Sequence, residues 1–208
     1  MRLFTAVYPS EDALRHLDLA LGSVGGPAVA DPGVGLRWLP REQRHITLAF
    51  HGEVPDGAVP GYADALEGSL AGISCFEAAL AGSGSFGGRT LWVGVGDGVD
   101  GLRRLAGAVD DAASSAGVPT SDRAGGRPHL TVARASLSRL PHRAGNRRPR
   151  GRAGDAGSPL VPWARALAVY RGPAWDVDAV RIVASELGQG RSGGPLHQDV
   201  AVLPLDRP

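Results

Sequence analysis

His45-Ile46-Thr47-Leu48 and His129-Leu130-Thr131-Val132 repeat one pattern: a histidine and a threonine separated by one apolar residue and followed by another, 84 positions apart (129 − 45). Each copy lies in a segment, 44–51 or 129–135, that reads as a β-strand with one covered and one open face. Alternation puts the His and Thr of each copy together on the open face. It sends Ile46, Leu48, Leu130 and Val132 to the other face and into a core. A chain that builds the same strand twice, each presenting an imidazole beside a hydroxyl, reads as two similar lobes facing each other.

Around these strands, residues 2–8 read as a buried strand stopped by Pro9. Ser10 then caps a helix with Glu11 and Asp12 in its first turn and Leu14, Leu17 and Leu21 as its buried stripe. Residues 22–35 read as a Gly/Pro-rich loop, 36–39 as a short strand, and 59–71 as a helix weakened by Gly61 and Gly68. Segments 73–80 and 90–95 read as strands joined by a Gly-rich turn. Residues 99–116 place Leu102, Leu105, Val109 and Ala113 on one helix face, and Gly117 can end that helix. The stretch 138–158, with Arg143, Arg147, Arg148, Arg150 and Arg152, is almost free of large apolar groups and reads as a flexible loop. A short helix near 161–169 and strands at 175–184 and about 197–203 close the chain. The mixture, with its alternating strands, is that of an α+β fold with largely antiparallel sheets.

The 208 residues suffice for one full core or two small lobes. Net charge is +1, so no strong overall field draws nucleic acid. All 22 basic residues are arginines. This most plainly reflects a GC-rich genome, with a preference for forked guanidiniums as the alternative. The lack of lysine excludes Schiff-base chemistry and a phosphate-loop lysine. Cys75 stands alone, which excludes an internal disulfide and a thiolate metal cluster and fits a reducing compartment. The opening apolar run is too short for a signal peptide or a membrane span, so the expected location is the cytoplasm. Two GxGxxG matches, at 82–87 and 188–193, lead into strand-like sequence rather than a helix and are set aside as dinucleotide fingerprints.

Opening a cyclic phosphodiester needs a base that takes a proton from water and an acid that protonates the departing ribose oxygen. Near neutral pH one imidazole can be neutral while its partner is charged. Two of them on opposite sides of one phosphorus suit in-line displacement, and two threonine hydroxyls can donate to the non-bridging oxygens. A zinc site of two histidines and a carboxylate is the competing chemistry. Glu42 and Glu53 flank the first motif without zinc-motif spacing, so the expectation is no metal and no cofactor.

The chain resembles the 2H phosphoesterase superfamily, named for its two HxTx motifs, and within it the RNA 2′,3′-cyclic phosphodiesterase (2′-5′ RNA ligase) family. The similarity runs from Arg2-Leu3-Phe4 through Arg37-Trp38 with Pro40, the first motif, Gly52-Glu53-Val54, residues 91–95 and Arg127-Pro128 with the second motif, to 185–188. It implies one bilobal domain over 1–208, with pseudo-twofold duplicated antiparallel sheets, outer helices and a cleft between the lobes. It implies His45 as proton donor, His129 as proton acceptor, and Thr47, Thr131 and Arg134 as phosphate contacts. The implied reaction is metal-independent hydrolysis of a 2′,3′-cyclic phosphate on RNA ends or nucleotides to a 2′-phosphate, with no membrane and no obligate protein partner. Strict alternation from His129 puts Arg134 on the opposite face, so its implied role requires the strand to bend or end first; the alternative is a surface arginine.

The sequence departs from the pattern at Ala49, where the family often has arginine, and at His51, where it often has leucine. Alternation puts His51 on the face of His45, at the cleft rim or simply exposed. His197 receives no role. The Arg-rich loop reads as contacting an RNA backbone or as having no partner. The same chemistry on a small-molecule cyclic phosphate, and a non-catalytic RNA-binding module, remain as other readings of the whole.

Overall fold

Arg2–Val7 forms β1, and the motif segments form β3 (Ile46–Glu53) and β7 (His129–Ala135). The computed structural model describes residues 1–25, 36–120, 122–123, 127–135, 158–190 and 193–207. The expected Arg-rich loop lies outside these, apart from Ser158, as do residues 26–35 of the first loop. The other described strands are β2 (Leu36–Trp38), β4 (Phe76–Phe86), β5 (Thr90–Asp97), β6 (Asp122–Arg123), β8 (Arg171–Val177), β9 (Ala179–Glu186) and β10 (Leu196–Pro204). The described helices are α1 (Glu11–Ser23), α2 (Val59–Leu70), α3 (Val99–Ser115) and α4 (Val161–Ala166). Ser10 caps α1 as its position suggests, its Oγ accepting from the Ala13 N–H at 3.2 Å. The predicted stripes of α1 and α3 are buried.

The strands form one antiparallel sheet in the order β10-β9-β1-β3-β7-β5-β4-β8, curled into a half-barrel. The expected duplication is visible in it. β1–α1–β2–β3 is matched by β5–α3–β6–β7, and the two halves meet at the pair Ile46–Leu130. Each half lends a short strand to the other: β2 lies along β7 at Ala133, and β6 along β3 at Ala49, positions again 84 apart (133 − 49). Helix-side residues such as Leu3, Ile46, Leu66, Leu105 and Leu130 form the main core. A small second cluster of Phe4, Ala6 and Val183, with Tyr8 and Phe50 against it, sits on the other face.

Two expectations need correction. Residues 175–184 are not one strand. The chain breaks at Asp178, with β8 joining β4 at one end of the sheet and β9 joining β1 in the other half. The Gly-rich stretch after Leu80 is not a turn either: β4 runs on to Phe86, with a register shift between Leu80 and Ser83, and only residues 87–89 turn. Gly84 is required there, because a Cβ would stand 2.4 Å from the Trp92 indole. That indole lies beside His129, with ring centroids 6.1 Å apart.

Candidate active site

A one-residue bulge follows the threonine in both motif strands. In β3, Ala6 faces Thr47 and Thr5 faces Ala49, so Leu48 is the extra residue. In β7, Trp92 faces Thr131 and Leu91 faces Ala133, so Val132 is the extra residue. These are the last positions of the two motifs. A bulge adds one residue to one strand and inverts the alternation beyond it. Arg134 therefore comes to the face of His129 and Thr131, which resolves the parity problem read in the sequence. The same inversion turns His51 away from His45, so neither the rim position nor the exposed one expected for it holds. His51 is buried among Thr5, Tyr62 and the Pro119 carbonyl, its Nε2 lying 2.9 Å from Thr5 Oγ1 and 3.0 Å from Tyr62 Oη.

His45, Thr47, His129, Thr131 and Arg134 all line one cleft of about 610 Å³. Arg2, Arg37 and Arg127 line it as well, and no aspartate or glutamate is among its described lining residues. The cleft is therefore shaped for an anion. Aromatic rings fix the imidazoles. Phe4 stacks on His45 at 4.5 Å, and Phe86 meets His129 edge-on at 4.8 Å.

The two histidines differ electrostatically. His129 Nδ1 lies 3.0 Å from the Arg127 carbonyl, which only accepts, so Nδ1 carries a proton and Nε2 is the nitrogen left to exchange protons in the cleft. His45 is pushed down to about 3, chiefly by burial. His197, Arg134 and His129 add repulsion, and the Gln43 backbone opposes them. His45 Nδ1 is sealed off with no partner in hydrogen-bond geometry. Without a bound anion, His45 is neutral.

The turn before His45 is clamped. Asp18 of α1 accepts from Arg41 Nε and, at 2.6 Å, from Arg44 Nη1; Arg44 is buried and also donates to the Leu39 carbonyl. Sequence reading missed His197 altogether. From β10 it lines the cleft and meets His45 edge-on at 5.2 Å. Nothing local marks it, because it arrives from the strand farthest from β7 on that side of the sheet. Among the described residues, no three His, Cys, Asp or Glu side chains gather to hold a metal ion, and Glu42 and Glu53 are not cleft-lining.

A half-barrel carrying twin His-x-Thr-x motifs on one face is the fold and site of a 2H phosphoesterase. The sequence profile of the 2′-5′ RNA ligase superfamily matches residues 28–144, and the chain belongs to that family. A Geobacillus stearothermophilus protein named RNA 2′,3′-cyclic phosphodiesterase is 40% identical over 101 residues, 47% of this chain and 32% of that protein. An Aeropyrum pernix protein of the same name is 32% identical over 116 residues, 54% of this chain and 64% of that one. The match thus spans less than two thirds of either relative. The fold is that of E. coli LigT in apo form, with a TM-score of 0.64 at 22% identity, covering 99% of this chain and 98% of that one. A Thermus thermophilus protein aligns similarly, with a TM-score of 0.66 at 23% identity over 99% and 98% of the two chains. Among the described residues, no helix is long and apolar enough to cross a membrane.

Proposed function

We propose that this chain is a phosphodiesterase that opens 2′,3′-cyclic phosphates on RNA ends or nucleotides, leaving a 2′-phosphate, by two-histidine acid–base catalysis without a metal. The observation that carries this is the convergence of both His/Thr pairs on one cleft lined by arginines and, among its described residues, by no carboxylate. The names of the two curated relatives agree with it.

His129 Nε2 takes a proton from water, whose oxygen attacks phosphorus. The P–O3′ bond opposite breaks, and His45 delivers a proton to the departing ribose oxygen. Thr47 and Thr131 donate to the non-bridging oxygens, and Arg134 adds charge as negative character builds there. Exchange with solvent then returns a proton to His45 and removes one from His129. The acid role asks His45 to be charged, and burial opposes that. The phosphate anion supplies the countercharge that lifts its proton affinity. The chain acts as one catalytic unit with the cleft between its halves, and its lone cysteine suits the cytoplasm.

The test uses purified protein with excess EDTA and an oligoribonucleotide ending in a 2′,3′-cyclic phosphate. A 2′-phosphate product, absent with His45→Ala and with His129→Ala, is expected. Binding without turnover, unaffected by His45→Ala, would instead mark a non-catalytic RNA-binding module, and loss of activity on adding the chelator would mark a metal hydrolase.

A further inference from the structure

Arg37 of β2 and Arg134 of β7 are direct partners in strand register, and both side chains line the cleft. Directly opposed side chains stand about 4.5–5.5 Å apart at Cβ, where like charges repel. Neither guanidinium forms an ion pair among the described residues. Arg37 is closely packed where it lies: a Cβ on Gly194 would stand 3.0 Å from Arg37 Nη1 and 2.4 Å from Gln43 Nε2, and that Nε2 donates to the Pro195 carbonyl at 3.0 Å. Arg134 is turned inward by the bulge at Val132, close enough for its charge to be felt at His45 and His197. Two guanidiniums brought together in a cleft without a protein countercharge are arranged to bind an anion.

The reacting phosphate does not account for both. It must lie between His45 and His129, within reach of Thr47 and Thr131. β2 meets β7 only at residues 133–135, and with Val132 bulged out Arg134 is two register steps beyond Thr131, about 7 Å along the strand. Arg134 can lean back toward the histidines, while Arg37 stands farther out on the flanking strand. Resting on the reading that the cleft opens a cyclic phosphate, we propose that Arg37 and Arg134 form a second anion subsite that takes the 5′ phosphate of the terminal nucleotide, as a chain phosphodiester or a free monoester. Arg134 is shared between the two phosphates, and Arg37 serves the second alone.

Affinity can be read without turnover, using adenosine 2′-monophosphate and adenosine 2′,5′-bisphosphate in calorimetry at fixed salt. The wild type should bind the bisphosphate about tenfold more tightly, the scale of one charge-assisted contact. Arg37→Gln should erase that advantage and leave the monophosphate unchanged, while Arg37→Lys should keep part of it. Equal affinities for the wild type would overturn the proposal. So would an equal loss for both ligands in Arg37→Gln, which would put Arg37 on the reacting phosphate. Arg37→Gln relieves a like-charge pair, so its melting temperature without ligand should be no lower than that of the wild type. Turnover of adenosine 2′,3′-cyclic phosphate, its 5′-phosphorylated form and the ApA dinucleotide with a cyclic end separates the sources. The lowest KM falls on the dinucleotide for a chain diester and on the 5′-phosphorylated mononucleotide for a monoester. A bisphosphate advantage that depends on Arg37, with no turnover of any substrate, would keep the subsite and remove the catalytic reading.

Discussion

Phe50 and Arg134 stand at the same place in the two halves of the sheet, each five residues beyond a motif histidine and each brought to the cleft by a bulge at the motif's last residue. One half offers an aromatic ring, with the Arg2 guanidinium 4.8 Å above it, and the other offers a cation. Only the second can answer the charge that builds on a phosphate. Arg134→Gln should therefore lower kcat/KM on an RNA cyclic phosphate by about 10- to 100-fold, the scale of one charged donor at a reacting centre. Steady-state kinetics check this, and an unchanged kcat/KM would return Arg134 to a surface arginine.

The neutral state of His45 has two consequences. If His45 is the acid, it should take up a proton when a 2′-phosphate product binds at pH 7, and His45→Gln should lower the net uptake by up to one proton. Calorimetry in buffers of different ionisation heat measures it, and the same net uptake in the wild type and His45→Gln would exclude the acid role for His45. The second consequence concerns stability. The folded imidazole titrates near 3 and the unfolded one near 6.5, so between these values the unfolded chain holds the extra proton. Stability is intact above about pH 6.5 and falls as the pH drops toward 3. At pH 5 the His45 share of the loss is on the order of 1–2 kcal/mol. His51 and His197, also lowered chiefly by burial, act in the same direction. Urea midpoints at pH 7 and pH 5 should differ less for His45→Phe than for the wild type.

The site was legible in sequence where its signals were local. His45, Thr47, His129 and Thr131 lie within two four-residue patterns, and alternation inside each pattern holds up to the threonine. It fails one residue later, because the bulges at Leu48 and Val132 depend on register with β1 and β5, which no periodicity within β3 or β7 records. That single failure misplaced His51 and left Arg134 ambiguous. His197 and the β8–β9 break were missed for a related reason. Both depend on which distant strand a segment joins, and residues 175–184 look continuous until Asp178 sends the chain from one half of the sheet to the other.

The buried group around His51 predicts a coupled loss of stability. His51 Nδ1 donates to the Pro119 carbonyl, so Nε2 accepts from Thr5 or Tyr62, whose hydroxyls are 2.7 Å apart. Tyr62→Phe should cost about 1–2 kcal/mol and His51→Leu about 1–3 kcal/mol, the range for buried polar groups left unpaired. Because the three side chains share one network, the double variant should lose less than the sum. Neither change should alter kcat, since the network lies on the helix side of β3. A double-mutant cycle in urea, with kinetics alongside, tests both points. Additive losses would mean the contacts are independent.

Asp18 links stability to the site itself. Burial tends to raise its pKa, but hydrogen bonds from Arg44 and Arg41 outweigh that and lower it, so the carboxylate is charged at neutral pH. The Arg44 side chain is only 4% exposed, and Asp18→Ala would leave that cation buried without its partner. Breaking such a pair costs more than losing a surface bridge, and because Asp18 is itself 29% exposed the expected loss is about 2 kcal/mol. Arg44 also immediately precedes His45, so slackening the turn should lower kcat severalfold with little change in KM. Arg41→Ala, which removes the more exposed partner, should cost clearly less than Asp18→Ala and leave kcat near the wild-type value. If Asp18→Ala lowered stability while kcat stayed unchanged, the clamp would brace the fold without positioning His45.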